Sequence, residues 1–200
     1  MEIKKENVVN AYMAGDNNVK EMLRTMFPEI DFETEKQAEK RPVTERVKSF
    51  EDACRELGYY NPFVVAYNTI ISYTHFEEEV ENAHDLIAYL KLRIICAALN
   101  EGWQPQFTAD EWRYYPWFYL YTKDELNQKS ADWKSKRTIV PTGDYQTEYA
   151  DFACAGSHHT PSQTAAHLGS RLCFKNEALA DYCGKQFIHL WADFCLIRRK

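Results

Sequence analysis

Five residues in one short stretch have side chains that bind metals or attack carbon. They are Cys154, His158, His159, His167 and Cys173, spaced C-x3-HH-x7-H-x5-C within ACAGSHHTPSQTAAHLGSRLCF (153–174). Thiolate and neutral imidazole are the ligands of tetrahedral zinc. If the flanking segments were adjacent antiparallel strands, the two cysteines would approach each other and the histidines would fold back over them. The spacing matches no standard zinc pattern, and neighbours such as His158 and His159 rarely ligate one ion together. A second chemistry would use Cys154 or Ser157 as nucleophile beside His158, with Asp151 or Glu148 orienting the base. The middle of the stretch, SHHTPSQTA, is rich in Ser, Thr and Pro, which suits a solvated connection between strands. The expectation is therefore a polar loop with two buried strand cysteines, no metal and no cofactor. A metal centre is the alternative.

The aromatic run Tyr114, Tyr115, Trp117, Phe118, Tyr119, Tyr121 is the second feature with chemical content. One face of such a strand packs into a core. The other would present large rings able to anchor a protein partner or to stack on bases. Few cations are interleaved (Arg113, Lys123), so stacking on nucleic acid lacks its electrostatic half. Tyr114, Tyr115, Trp117 and Tyr119 are the candidate binding residues, with Arg171 and Lys175 as the nearest basic additions further along the chain. The acidic residues Glu77, Glu78, Glu79, Glu81 and Asp85 read as the first turns of a helix, where the macrodipole favours negative charge. No GxxxxGK[ST], GxGxxG, HExxH, GxSxG or CxxC pattern occurs, so the common nucleotide, metalloprotease and hydrolase routes have no support.

These residues must be positioned by the elements around them. Residues 1–47 read as a helical N-terminal segment with a charged linker, DFETEKQAEKRPVTERV (31–47). In that segment, Val19, Met22, Leu23 and Met26 have helical spacing. Residues 48–200 read as one domain. Ser49 and Asp52 form a capping box before a helix closed by Gly58. Asn61 and Pro62 open the next helix, and Thr74 with Glu77 repeats the capping pattern. A long helix follows, carrying Val80, Ala83, Ile87, Leu90, Ile94 and Ala97, apolar on most sides and so buried on most sides. YYPWFYLYT (114–122), YQTEYADFACA (145–155) and HLGSRLCF (167–174) read as three strands. A final helix over 175–195 carries the stripe Leu179, Cys183, Phe187, Leu190, Phe194, widened by Ala180 and Trp191. Helices, then strands, then a helix make an α+β fold: N-terminal helices, a small sheet of about three antiparallel strands, and a C-terminal helix packed on it.

Composition agrees with a globular protein. The 200 residues are 45% hydrophobic and 14% aromatic, with a net charge of −6. That charge counts against a role built on phosphate neutralisation. The six cysteines form no CxxC pair, the first residues lack the apolar core of a secretory leader, and no run is long enough to span a membrane. Reduced thiols in a cytoplasm are expected.

Four blocks, KSFEDACRELG, AYLKLRIICAALNEGWQPQF, RYYPWFYLY and LGSRLCFKNEALADYCGKQF, together resemble an uncharacterised protein family of phages and integrated mobile elements of gut bacteria. The resemblance covers roughly residues 47–196, with a variable gap between Tyr121 and His167. It implies a phage or mobile-element origin and brings no activity and no catalytic residues. The expected function is a non-enzymatic accessory protein acting by protein–protein binding or self-association. The alternatives are a nucleic-acid or nucleotide binder in phage replication or counter-defence, and a small metal-dependent enzyme using the 148–173 region.

Overall fold

The structure, a computed structural model, describes residues 4–32, 41–73, 83–106, 108, 110–161 and 170–199. The chain divides into two compact units, Met1–Arg46 and Val47–Lys200. The first contains α1 (Lys5–Ala14), α2 (Asn17–Met26) and the short α3 (Val43–Arg46). Asp16 caps α2 by accepting the N–H of Val19. The small core of this unit is Val8, Tyr12, Leu23, Ile30 and Phe32, with Tyr12 and Phe32 stacked at 4.2 Å. Of the expected stripe on α2 only Leu23 is buried. Met22 and Met26 face solvent, because Ile30 and Phe32 from the segment after Pro28 complete so small a core. Residues 33–40 of the charged stretch 31–47 lie outside the described residues, and Val43–Arg46 near its end forms α3.

The second unit is α+β. Its elements are α4 (Phe50–Leu57), α5 (Pro62–Tyr73), α6 (His84–Leu99), β1 (Trp112–Tyr121), α7 (Lys123–Asn127), α8 (Ala131–Ser135), β2 (Ile139–Pro141), β3 (Asp151–Pro161), α9 (Glu177–Gln186) and α10 (Ile188–Cys195). The capping signals act as read. Ser49 Oγ accepts the N–H of Asp52 while Asp52 Oδ2 accepts that of Ser49, and Gly58 closes α4 at φ +80°. Asn61 Oδ1 accepts the N–H of Phe63 at the start of α5. The capping pattern at Thr74 and Glu77, and the acidic run up to Glu81, lie outside the described residues.

Helix α6 is the central helix, with Ile87, Leu92, Ile94, Ile95 and Leu99 buried. The sheet has the order β1-β3-β2, both pairs antiparallel. Helix α9 packs on β3 and β1; α10 packs on β2, β3 and α6; α4 and α5 pack on α6. The carbonyls of Val47 and Lys48 accept hydrogen bonds from Tyr182 Oη and Gln186 Nε2, which ties the entry segment to α9.

Three expectations are corrected. The second strand is not 145–155 but Asp151–Pro161; residues 142–150 turn instead, with the N–H of Thr142 donating to the carbonyl of Ala150. The segment with His158 and His159 is therefore strand, at least to Pro161, and not a polar loop. Backbone pairing with β1 decides this over the polar composition. The third strand is not 167–174 but Ile139–Pro141, too short for a periodic signal. Ser170–Leu172 is a 3-10 turn, and Phe174 makes a single bridge to Tyr114. Finally, the last helix is two helices. Phe187 leaves the helical region at φ −112°, ψ 30°, and this break rotates the buried face. In α9 that face is Leu179, Ala180, Cys183 and Gly184; in α10 it is Ile188, Trp191 and Ala192, with Leu190 and Phe194 only half-buried.

The C-terminal segment is held rather than free. The N–H of Gln146 donates to the carbonyl of Ile197, and Arg199 Nε to the carbonyl of Tyr145. Asp193 Oδ1 accepts from Tyr145 Oη at 2.8 Å and from Arg198 Nε at 2.9 Å. Burial, and then the hydrogen bond to Asp193, push the Tyr145 hydroxyl up to about 12 from its ordinary 10. Because the folded state holds this proton more tightly, the stabilisation is complete below pH 10 and is lost as pH rises toward 12. Tyr145→Phe is expected to be less stable than wild type at neutral pH. In urea titrations, the gap should close between pH 10 and 12. A gap that stays constant over that interval would contradict the assignment.

Candidate binding surface

The β1–β3 register places the aromatic run. Trp117 is opposite Gly156 and Phe118 is opposite Cys154, so Ala155 is an extra residue bulged out of β3. Strand β1 itself stays regular and its side chains alternate. Pro116 and Phe118 face the helices: a Cβ on Gly184 of α9 would lie 2.7 Å from Pro116 Cβ, and the Phe118 ring is 5.4 Å from Trp191. Trp117, Tyr119 and Tyr121 face away. Their rings follow one another edge to face, Trp117 to Tyr119 at 6.4 Å and Tyr119 to Tyr121 at 6.1 Å. Trp133 of α8 extends the row, 5.5 Å from Tyr121. Lys129 lies 5.5 Å over both of these rings and Arg137 lies 4.4 Å over Trp133. The cations therefore close one end of the row, where Tyr121 is buried and its hydroxyl is held above its ordinary value, first by that burial. The other end is open: Trp117 is 46% and Tyr119 52% exposed.

The remaining candidate residues are dispersed. Tyr115 is buried, which puts it in the core. Tyr114 is half-buried on the helix-side face, its N–H and carbonyl both bonded to Phe174 and its ring 5.6 Å from His159. His159 also meets the exposed Trp112 at 4.8 Å. Arg171 is exposed, and its carbonyl accepts Arg93 Nη1. Lys175 Nζ pairs with Glu101 at 2.8 Å, while its N–H donates to Asn100 Oδ1. Buried Asn100 completes this clamp by donating from Nδ2 to the carbonyl of Cys173. Other cations of this region are also matched, Lys185 with Asp181 and Arg198 with Asp193.

The described thiol and imidazole candidates do not converge. Cys154 is buried on the helix side of β3, Cys173 is buried beyond the 3-10 turn, and His159 is exposed beside Trp112. His158 stands opposite Tyr115 in β3, and His167 lies outside the described residues. Among the described residues, no group of three or more His, Cys, Asp or Glu is placed to hold a metal ion. Burial pushes the Cys154 and Cys173 thiols up to about 11. At neutral pH such a thiol is ionised in about one molecule in ten thousand, which makes a poor nucleophile. All six cysteines are free. A cleft of about 390 Å³ between α6, α10 and the C-terminal segment contains Lys91, Asp193 and Arg198. Its carboxylate already accepts from Tyr145 and Arg198. The sequence pattern did not point to Trp133, Lys129 or Arg137. Their signals were caps: Thr122 with Glu125, and Ser130, fix α7 and α8 beneath the row.

No protein-family model, curated protein or solved structure matches the chain. Among the described residues no helix is long and apolar enough to cross a membrane.

Proposed function

We propose that this is a non-enzymatic accessory protein of a phage or mobile element, working in the cytoplasm, that acts by binding protein through the outward aromatic row of β1. The observation that carries the reading is the open end of that row. Trp117 and Tyr119 expose about half their surface on a rigid sheet rather than on a loop. Large rings held rigid bind at low entropic cost and exclude water from the hydrogen bonds around them. The chemistry of the surroundings favours protein over nucleic acid. From Tyr114 to Tyr121 the strand has no charged residue, Lys175, Lys185 and Arg198 are each neutralised by a carboxylate, and Lys129 and Arg137 lie against the rings at the closed end of the row. Phosphate binding needs cations free to replace counterions.

The test is site-specific photo-crosslinking in cells, with the probe at position 117 or, as control, at position 56 on the exposed face of helix α4. A discrete protein adduct from position 117 only is the expected result. Purified protein that instead retards single-stranded oligonucleotides, with an affinity falling steeply with salt, would overturn the reading in favour of nucleic acid.

A further inference from the structure

The partner itself is legible in the backbone of β1, granted the reading of this strand as a protein-binding element. An antiparallel strand points the N–H and carbonyl of each residue to the same side and alternates sides along the chain. Tyr114 bonds through both groups to Phe174, on the side away from β3. Tyr121 accepts from the N–H of Ala150, on the β3 side. Even-numbered residues of β1 therefore point outward and odd-numbered ones inward. The bulge sits in β3 and does not disturb this phase. Among the described residues, Phe174 is the only backbone partner bonded to the outer edge of β1. Beyond it the edge offers the Pro116 carbonyl, which lacks a matching N–H, and then the complete donor–acceptor pairs of Phe118 and Leu120. Natural sheets blunt such edges with lysine, proline or bulges. Between Trp117 and Tyr121 this edge has none of them.

We infer that the edge is closed by a second copy of this chain, β1 against β1 about a two-fold axis through Tyr119. Three features select a copy rather than an unrelated strand. First, the edge is self-complementary. With Tyr119 on the axis, Phe118 of each chain lies opposite Leu120 of the other. Both are outward-pointing residues, so four N–H···O=C bonds form and no outward donor between Trp117 and Tyr121 is left over. Second, side chains meet like with like. Tyr119 faces Tyr119 of the second copy in a non-hydrogen-bonded pair, and Trp117 stands in register with Tyr121, which Trp133 and Lys129 of its own chain already cover. The two aromatic rows become one continuous surface, and aromatic cross-strand pairs are favourable. Third, the chain has a net charge of −6, yet the facing strip is uncharged, so the two copies meet without like charges opposed across the axis. The product is a closed dimer with a continuous six-stranded sheet and an isologous interface.

Residue 119 facing itself gives a test no other interface reproduces. Wild-type protein is expected to sediment as a dimer in concentration-series ultracentrifugation. Tyr119→Lys and Tyr119→Glu should each be monomeric with unchanged circular dichroism, since Tyr119 is half exposed and its loss empties no core. An equimolar mixture of the two variants should restore the dimer. Independently, the Cα atoms of such a pair lie about 4.5 Å apart, within disulfide reach. Tyr119→Cys should therefore form a covalent dimer when treated with diamide, whereas Trp117→Cys should not. A monomeric wild type, or a wild-type dimer that survives in both charged variants, would overturn the inference. A monomer whose position 117 still crosslinks to a different protein would overturn the self-pairing alone. Absence of both the dimer and any adduct would remove the underlying reading as well.

Discussion

Trp191→Ala is expected to destabilise the second unit by about 3–5 kcal/mol, the range for removing a large buried aromatic. Among the described residues Trp191 is the largest fully buried side chain. It lies where α10 meets the sheet, 5.4 Å from Phe118 and 6.0 Å from Phe194. Phe118 in turn stacks on Phe152 of β3 at 4.8 Å. Removing the indole leaves a cavity against a paired sheet, which cannot collapse to fill it. The indole Nε1 is buried and, among the described residues, no group accepts its hydrogen. Trp191→Phe removes that unsatisfied donor along with part of the volume, so it should lie much closer to wild type, within about 1.5 kcal/mol. Urea midpoints read by far-ultraviolet circular dichroism check both. Equal losses in the two variants would mean that the buried N–H has a partner, and an unchanged midpoint in Trp191→Ala would place the side chain outside the core.

The second large effect is expected at Gly184. This glycine sits inside α9, where an alanine would favour the helix by about 1 kcal/mol. Its reason is contact. A Cβ there would lie 2.7 Å from Pro116 Cβ and 2.8 Å from Cys154 Sγ. Neither neighbour yields readily: the proline ring is fixed in β1 and the cysteine is buried in the central strand. Gly184→Ala should therefore lose stability despite its better helix propensity. Gly184→Val should reach or exceed the upper end of the roughly 1–3 kcal/mol typical of overpacked cores. Adding Cys154→Ala to Gly184→Ala removes one of the two clashes and should recover part of the loss, a coupling that independent sites would not show. The substitution also has a reading at the surface. Pro116 precedes Trp117, so lifting α9 from the strand should shift Trp117 fluorescence. A Gly184→Ala protein more stable than wild type would mean that α9 stands further from the sheet.

The helical half of the second unit was legible in the sequence because its signals are local. Ser49 with Asp52, Asn61 with Pro62, and the glycine at 58 satisfy or release backbone groups within one turn, and a central helix apolar on most sides needs no partner to declare itself. The sheet was legible in its number of strands and in β1, and not in the bounds of the other two. Strand β2 is three residues long and β3 runs through two histidines, so neither has a pattern apart from its neighbour. The break at Phe187 was equally hidden. The apolar residues on either side continue a plausible helical stripe, and only the packed sheet shows that Trp191, rather than Leu190, is the residue buried.

The candidate surface divides along the same line. That β1 would be aromatic, uncharged and strand-forming follows from Tyr114 to Tyr121 alone, because side-chain type and period are properties of the chain. Which rings face solvent does not follow. Tyr115 and Tyr119 share a parity, yet one is buried and the other half exposed. The difference arises from what the rest of the unit brings against each end of the strand. The same holds for the cysteines and histidines between 154 and 173. Their residue types allow a metal centre, but β3 sends Cys154 toward α9 and sets His159 beside Trp112, and a ligand set exists only where side chains converge. Charge behaves likewise: the excess of acids is a sum over the sequence, while the pairing of Lys175 with Glu101, 74 positions apart, is made by the fold. Local chemistry is written in neighbours along the chain, and sites are made by neighbours across it.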